Sequence, residues 1–289
     1  MKRYFIALWS LLCCFGLLGC SPKYEPAQIV ATTLPVYDFT VRICSGTDLK
    51  VSRLISEDIA CLHDYSLQVS QMQALESAEV ILSSGAGLED FLEDVKEKIP
   101  DIVDLSAGIP LLCEEDHHHH DDQDCTDPHY WLSPIYSKIM TANICETLTT
   151  IYPEYKDTFK DNLDNLNVEF DKLESYAVSQ LKDLSNRKLI TLHDGFSYMA
   201  AAFDLEIIHC VAEESGSEAS AQELIALSNL VKNHAIPAIF TEKNGSTSAA
   251  TIVAGQTHIE IYALDMAMSG NSYFDAMYHN INTLKEALE

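Results

Sequence analysis

Histidines and acids placed beside apolar runs are the residues of this chain best suited to chemistry. His63 stands in Cys61-Leu62-His63-Asp64-Tyr65, and His129 in Asp127-Pro128-His129-Tyr130-Trp131-Leu132. His193 stands in Thr191-Leu192-His193-Asp194-Gly195, and Asp265 closes Tyr262-Ala263-Leu264-Asp265. Three imidazoles and a carboxylate are a donor set for a tetrahedral divalent cation, zinc above all. Any one of these histidines taken alone is explained by a structural hydrogen bond. Two candidates come from each half of the chain, and each lies where a segment leaves or nears an apolar run, which points to a shared site. His209, His234, His258 and His279 have no such setting and read as structural or exposed.

A second concentration of ligands is Leu111–Asp127, LLCEEDHHHHDDQDCTD, with His117, His118, His119 and His120 in a row among seven acids. Imidazole and carboxylate both suit a borderline cation, and such composition reads as metal-binding. Adjacent histidines cannot form a rigid tetrahedron, so weak capture of one or more ions is the expected mode; a solvated loop with no role has the same composition. Cys113 and Cys125 bracket the segment. A disulfide there would close a loop of about a dozen residues and stabilise by roughly 2–3 kcal/mol in the chain-entropy picture. No His-Glu-x-x-His string and no Gly-x-Ser-x-Gly elbow occurs, so a zinc-dependent hydrolase lacks its usual signatures. A surface adhesin with a structural metal is a third possibility.

Elements that could position these residues are legible. Apolar, β-prone runs occur at Ile29–Thr33, Leu49–Leu54, Val80–Ser83, Ile102–Leu105, Leu189–Leu192, Leu205–Cys210, Ala238–Thr241 and Ile259–Ala263. Between them, helical patterns fall at Ser70–Ser77, Leu88–Lys98, Ser133–Ile151, Ala221–Asn233 and Ser272–Leu288. Short buried strands alternating with helices indicate the α/β class with mainly parallel sheets. The site histidine His193 and Asp265 then fall at carboxyl ends of strands, where open α/β sheets bind ligands. Two blocks of alternation flank a stretch with apolar residues at Tyr155, Phe159, Leu163, Leu166, Phe170, Leu173, Ala177 and Leu181. Their three- and four-residue spacing predicts one long helix. A rod linking two α/β lobes is the simplest architecture, with a coiled-coil dimerisation arm as the alternative. The expected division is 28–152 for the first lobe (with the His/acid-rich loop 113–127), 153–184 for the linking helix and 185–289 for the second lobe.

At the N-terminus, Lys2 and Arg3 precede an apolar run that ends Leu17-Leu18-Gly19-Cys20. The layout is that of a secretory signal, too short to span a bilayer. The ending resembles the lipobox of bacterial lipoproteins, with Cys20 as the lipidated residue, residues 1–19 as signal and 20–27 as a tether. The expected location is therefore extracytoplasmic and lipid-anchored to a bacterial membrane, in a periplasm or on a cell surface. The chain has 289 residues with 18 Lys+Arg against 44 Asp+Glu, a formal net charge of −26. So acidic a surface repels phosphate backbones and argues against nucleic acid.

The chain resembles the metal-binding receptors of bacterial zinc and manganese ABC importers, the cluster A-I solute-binding proteins. The matching pieces, in order, are Ala31-Thr32-Thr33-Leu34-Pro35-Val36-Tyr37-Asp38-Phe39, His63-Asp64-Tyr65, Ser84-Gly85-Ala86-Gly87-Leu88-Glu89, the Asp127–Leu132 string, Thr191-Leu192-His193-Asp194-Gly195-Phe196-Ser197-Tyr198 and Ala263-Leu264-Asp265. The resemblance implies two α/β lobes bridged by one long helix. It also implies a non-catalytic, monomeric receptor that captures a divalent metal between the lobes for an ABC permease. Carried over by position, the metal ligands are His63, His129, His193 and Asp265. Manganese-type relatives commonly have Glu at the third position; His193 there favours Zn2+, and a His-rich acidic loop is frequent in the zinc type.

Overall fold

The computed structural model describes residues 26–56, 62, 65–112, 126–211 and 219–289. Ile29–Ala31 (β1), Val51–Arg53 (β2), Val80–Ser83 (β3) and Ile102–Asp104 (β4) form a parallel sheet in the order β2-β1-β3-β4. Lys188–Thr191 (β5), Glu206–Cys210 (β6), Ala238–Glu242 (β7) and Glu260–Leu264 (β8) form a second, in the order β6-β5-β7-β8. The two orders are the same, so the two lobes share a topology although no sequence repeat betrays it. Within each lobe the centre is built of apolar strands: β1, β3 and β7 are buried throughout, and β5 is buried beyond Lys188. The edge strands β2, β4, β6 and β8 are partly exposed. Burial on both faces is what parallel sheets covered by helices require. All eight strands lie within two residues of the runs read from the sequence.

The helices are Leu34–Ile43 (α1), Val69–Ser77 (α2), Pro134–Ile151 (α3), Lys156–Leu181 (α4), Ser197–Ala202 (α5), Ala221–His234 (α6), Ser248–Thr257 (α7) and Tyr273–Leu288 (α8). Pro35 in the first turn of α1 and Pro134 at the start of α3 cost little, because the first amides of a helix have no intrahelical acceptor. The Ser220 hydroxyl accepts from Glu223 N, and the Glu223 carboxylate accepts in turn from Ser220 N, a capping box that starts α6. Pro153 ends α3, since the residue before a proline is driven out of the helical region; Tyr152 sits at φ −124°, ψ 67°. A 3-10 turn, Pro153–Tyr155, then leads into the 26-residue α4, about 39 Å long at 1.5 Å per residue. Phe159, Leu166, Phe170, Leu173, Ala177 and Leu181 of the expected stripe are buried.

The helix expected over Leu88–Lys98 does not form. Two 3-10 turns, Asp90–Leu92 and Lys96–Lys98, take its place. Glu89 is drawn back into the sheet crevice and held at φ −101°, ψ 40°, outside the helical region, so the pattern that follows has no helical start to extend.

The bridging helix α4 packs against α1 and α3 of the first lobe and α8 of the second. One hydrophobic cluster accordingly runs from Ile29 and Leu82 through Phe170 and Leu173 to Phe240 and Leu284. A smaller cluster, centred on Ile190, Leu227, Val231, Ile239 and Val253, lies between the second sheet and helices α6 and α7. Among the described residues no helix is long and apolar enough to cross a membrane.

Candidate metal centre

Each sheet reverses its strand order beside its first strand, between β1 and β3 and between β5 and β7. The crevice of an open α/β sheet lies at the carboxyl ends of strands flanking such a reversal. In the second lobe, His193 follows β5 and Glu242 ends β7, so the two straddle the reversal. His193 Nδ1 lies 3.6 Å from Asp194 Oδ1 and 3.9 Å from Glu242 Oε2. Asp265 follows β8 and is buried.

The equivalent crevice of the first lobe is filled by a carboxylate. Glu89 accepts from Thr32 Oγ1 at 2.6 Å, Ser84 N at 2.8 Å and Gly85 N at 2.9 Å. Burial pushes its carboxyl up to about 7, against those three hydrogen bonds, which favour the charged form. Gly85 is required there: its φ is +80°, and a Cβ would lie 1.7 Å from Asp104 Oδ1. The Tyr130 hydroxyl donates to Ser84 O, tying this loop to the segment that carries His129.

His129 enters from the 3-10 turn Tyr130–Leu132 that precedes α3. Asp127 Oδ1 accepts from His129 N at 2.8 Å and lies 2.9 Å from His129 Nδ1. A carboxylate can only accept, so Nδ1 carries a proton, and in the neutral ring Nε2 is then the atom with a lone pair to offer, the arrangement by which a neighbouring acid orients a metal-binding histidine. Asp127 Oδ2 is buried and accepts no hydrogen bond among the described residues, leaving negative charge that a cation at His129 would offset. The ring is wedged as well. A Cβ on Gly195 would lie 2.7 Å from His129 Nδ1, and the Trp131 ring sits edge-on to His129 at 5.4 Å between centroids.

His129 and His193 face each other edge to plane with centroids 5.2 Å apart. Zn–N bonds of about 2.0–2.1 Å, with the imidazole centre about 1.1 Å beyond the nitrogen, put two tetrahedral histidine ligands roughly 5.2 Å apart. The pair therefore has the spacing of two ligands on one zinc ion. Among the described residues no three His, Cys, Asp or Glu side chains close into a metal-sized group. His63 and its neighbour Asp64 lie outside the described residues, as do Cys20, Cys113, Cys125 and His117 to His120.

The Asp265 carboxylate is already engaged: Oδ2 is 2.7 Å from Lys243 Nζ, and Oδ1 accepts from Ala267 N at 2.8 Å. Asn280 fixes the backbone on both sides, accepting from Asp265 N and donating to Asp265 O, each at 2.7 Å. His209, His234, His258 and His279 are exposed. Cys44 and Cys145 carry free thiols, and burial pushes that of Cys44 up to about 12, which keeps it inert. Sequence reasoning misses Glu242 and Lys243, and it reads Gly195 only as part of the His193 string, without a role. Glu242 ends a β-prone run just as Asp265 does, and that signal could have found it.

Hydrogen bonds cross between the lobes around this pair. Trp131 Nε1 donates to Met266 O at 2.9 Å, and the Tyr273 hydroxyl donates to Trp131 O at 2.8 Å. The Tyr198 hydroxyl donates to Asp127 O at 3.1 Å, and Arg53 Nη1 to Gly270 O at 2.8 Å.

A family model described as zinc-uptake complex component A, periplasmic, matches residues 29–287. The zinc-binding protein AdcA of Streptococcus pyogenes serotype M3 is 27% identical over 318 aligned residues, covering 99% of this chain and 61% of the relative. The zinc-binding lipoprotein AdcA of Streptococcus pneumoniae is 25% identical, covering 100% of this chain and 62% of the relative. The chain thus spans a little over three-fifths of the length of these curated relatives. Among solved structures, one described as ZnuA superposes with a TM-score of 0.81 at 26% identity, over 92% of this chain and 100% of the other.

Proposed function

The chain belongs to the periplasmic zinc-uptake component A family, and from that premise we propose that it is the extracytoplasmic receptor of an ABC importer, taking up Zn2+ between its lobes and passing it to a membrane permease. The observation that carries the proposal is the His129–His193 pair at 5.2 Å, with the His129 tautomer set by Asp127. His63 and Asp265 complete the ligand set in this reading. The imidazoles must be neutral to bind, so the ion is held more weakly as the solution is acidified. No bond is made or broken in the cargo, and the protein is a receptor and not an enzyme.

Continuity of the core through α4 and the hydrogen bonds between lobes support capture with little lobe movement. Cys20 would carry the lipid that keeps the receptor at the membrane, and His117 to His120 would gather ions near the cleft. The relatives' names support zinc as the cargo: two proteins similar to this one over nearly its whole length are called zinc-binding.

The test is titration of untagged protein with Zn2+ and Mn2+, followed by anomalous scattering at the zinc edge. One tight zinc site, lost in H129A and H193A, is expected. Removal of residues 115–124 should abolish weaker binding and leave the tight site. Tight binding that survives loss of both His129 and His193 would refute the assignment.

A further inference from the structure

Lys243 places a protein cation on the carboxylate that the cargo ion is proposed to use, and we propose that it is an internal competitor for zinc: its ammonium occupies Asp265 in the unloaded receptor, must leave when the ion arrives, and returns as the ion departs. The inference rests on the zinc reading above.

The pair is built by the sheet. β7 and β8 are paired with Glu242 opposite Leu264, so the next residues, Lys243 and Asp265, emerge side by side. Lys243 N donates to Leu264 O at 2.8 Å, which extends the ladder one residue beyond the strands. The Lys243 ammonium reaches Asp265 Oδ2 at 2.7 Å.

Its two members differ in freedom. Asp265 is buried, its side chain 6% exposed, with one oxygen on Ala267 N and its backbone clamped by Asn280. Its carboxylate is thereby fixed in place, and Oδ2 is the oxygen not tied to backbone. The Lys243 side chain is 47% exposed on a flexible stem. Its head can swing into water without leaving a buried charge unpaired, because the incoming ion takes its place on the carboxylate. A dication bound through Oδ2 and an ammonium 2.7 Å from the same oxygen repel each other, so one must yield. The design is a fixed anion with a displaceable cation, and the displacement weakens binding by what the ion pair is worth. A partly exposed pair is worth a factor of a few, so the expected cost to affinity is about 2- to 5-fold. Loss of affinity is useful to a receptor that must surrender its cargo.

The experiment measures zinc affinity by chelator competition and zinc release by stopped flow for the full chain, K243M, D265N and the double variant. Methionine retains the packing of the stem and removes the charge. K243M is expected to bind zinc about 2- to 5-fold more tightly, with slower release. D265N should bind more weakly than the native chain, and in its background K243M should give no gain. Without metal, K243M should be less stable than the native chain, with the deficit shrinking when zinc is bound. Unchanged or weaker binding by K243M, or a gain of full size in the D265N background, overturns the proposal. Failure of the native chain to bind zinc tightly overturns the zinc reading itself, a result distinct from either.

Discussion

Gly195→Ala tests the centre through one added methyl group. Gly195 follows the His193 step, and a Cβ there would meet Met266 Cε at 2.5 Å, His129 Nδ1 at 2.7 Å and His129 Cγ at 2.8 Å. The methionine methyl is the end of a flexible chain and can rotate away. The imidazole has less room, held by Asp127 Oδ1 at 2.9 Å on Nδ1 and by the Trp131 ring beside it. Carbon contacts settle at about 3.5–4.0 Å, so the ring must retreat by roughly 0.8 Å. That is several times the ~0.2 Å by which metal–ligand distances vary, so His129 would lose the geometry in which it is proposed to bind the ion. Disturbing the orientation of a ligand costs about 10–100-fold in metal affinity, and overpacking costs about 1–3 kcal/mol of stability. Competition against a chromophoric zinc chelator reads the first, and urea unfolding of the metal-free protein reads the second. Gly255 is the control: it lies in α7, and a Cβ added to it would meet nothing within 4 Å, so G255A should leave zinc affinity unchanged and stabilise the helix by about 0.5–1 kcal/mol. Zinc affinity in G195A within about twofold of native would show that His129 is not held as argued.

Other outcomes follow from the same geometry. D127A removes the acceptor that fixes the His129 tautomer, and zinc affinity should fall about 10–100-fold with the fold retained by circular dichroism; native affinity would sink the orienting role given to Asp127. Burial lifts the Glu89 carboxyl to about 7, above its ordinary value of 4.5. A carboxyl raised on folding stabilises fully below its unfolded pKa, and that contribution is lost as pH rises through the folded pKa. Between about pH 5 and 8 the native chain should therefore lose on the order of 3 kcal/mol relative to E89Q. Urea unfolding across that range checks the sign, and a pH-independent difference between the two proteins contradicts it.

The fold is legible in the sequence where burial is uniform. β3 and β7 are short, apolar and buried throughout, and nothing but a covered parallel strand suits them. The stripe from Phe159 to Leu181 is equally plain, because one face of a long helix must meet both lobes. Leu88–Lys98 misleads because its helical spacing is real, while the decisive interaction is tertiary: Glu89 bonds to Thr32, 57 residues away. Helix α1 escapes a sequence reading because β-branched Val36, Thr40, Val41 and Ile43 mask a helix that its proline starts. Helix α7 escapes it because Ala, Gly and β-branched residues give it almost no stripe. At the proposed site, His129 and His193 stand out in the sequence because a single side-chain type beside an apolar run carries the signal. The Lys243–Asp265 pair cannot be, since it depends on the register between β7 and β8.

The two hydrophobic clusters divide the second sheet between them: Leu189 and Phe240 belong to the large one, Ile190 and Ile239 to the small one. Alternate residues of one strand are thus secured by different bodies of packing. The outer layer, α6 and α7, can loosen without breaching the core that runs through α4. Amide protons of α6 and α7 should exchange with solvent through local openings, while those of β1, β3 and α4 wait for global unfolding. His193 stands just beyond the strand where the two regimes meet, so among the described residues the packing expected to exchange slowest lies on one side of the proposed cargo and the layer expected to loosen first on the other.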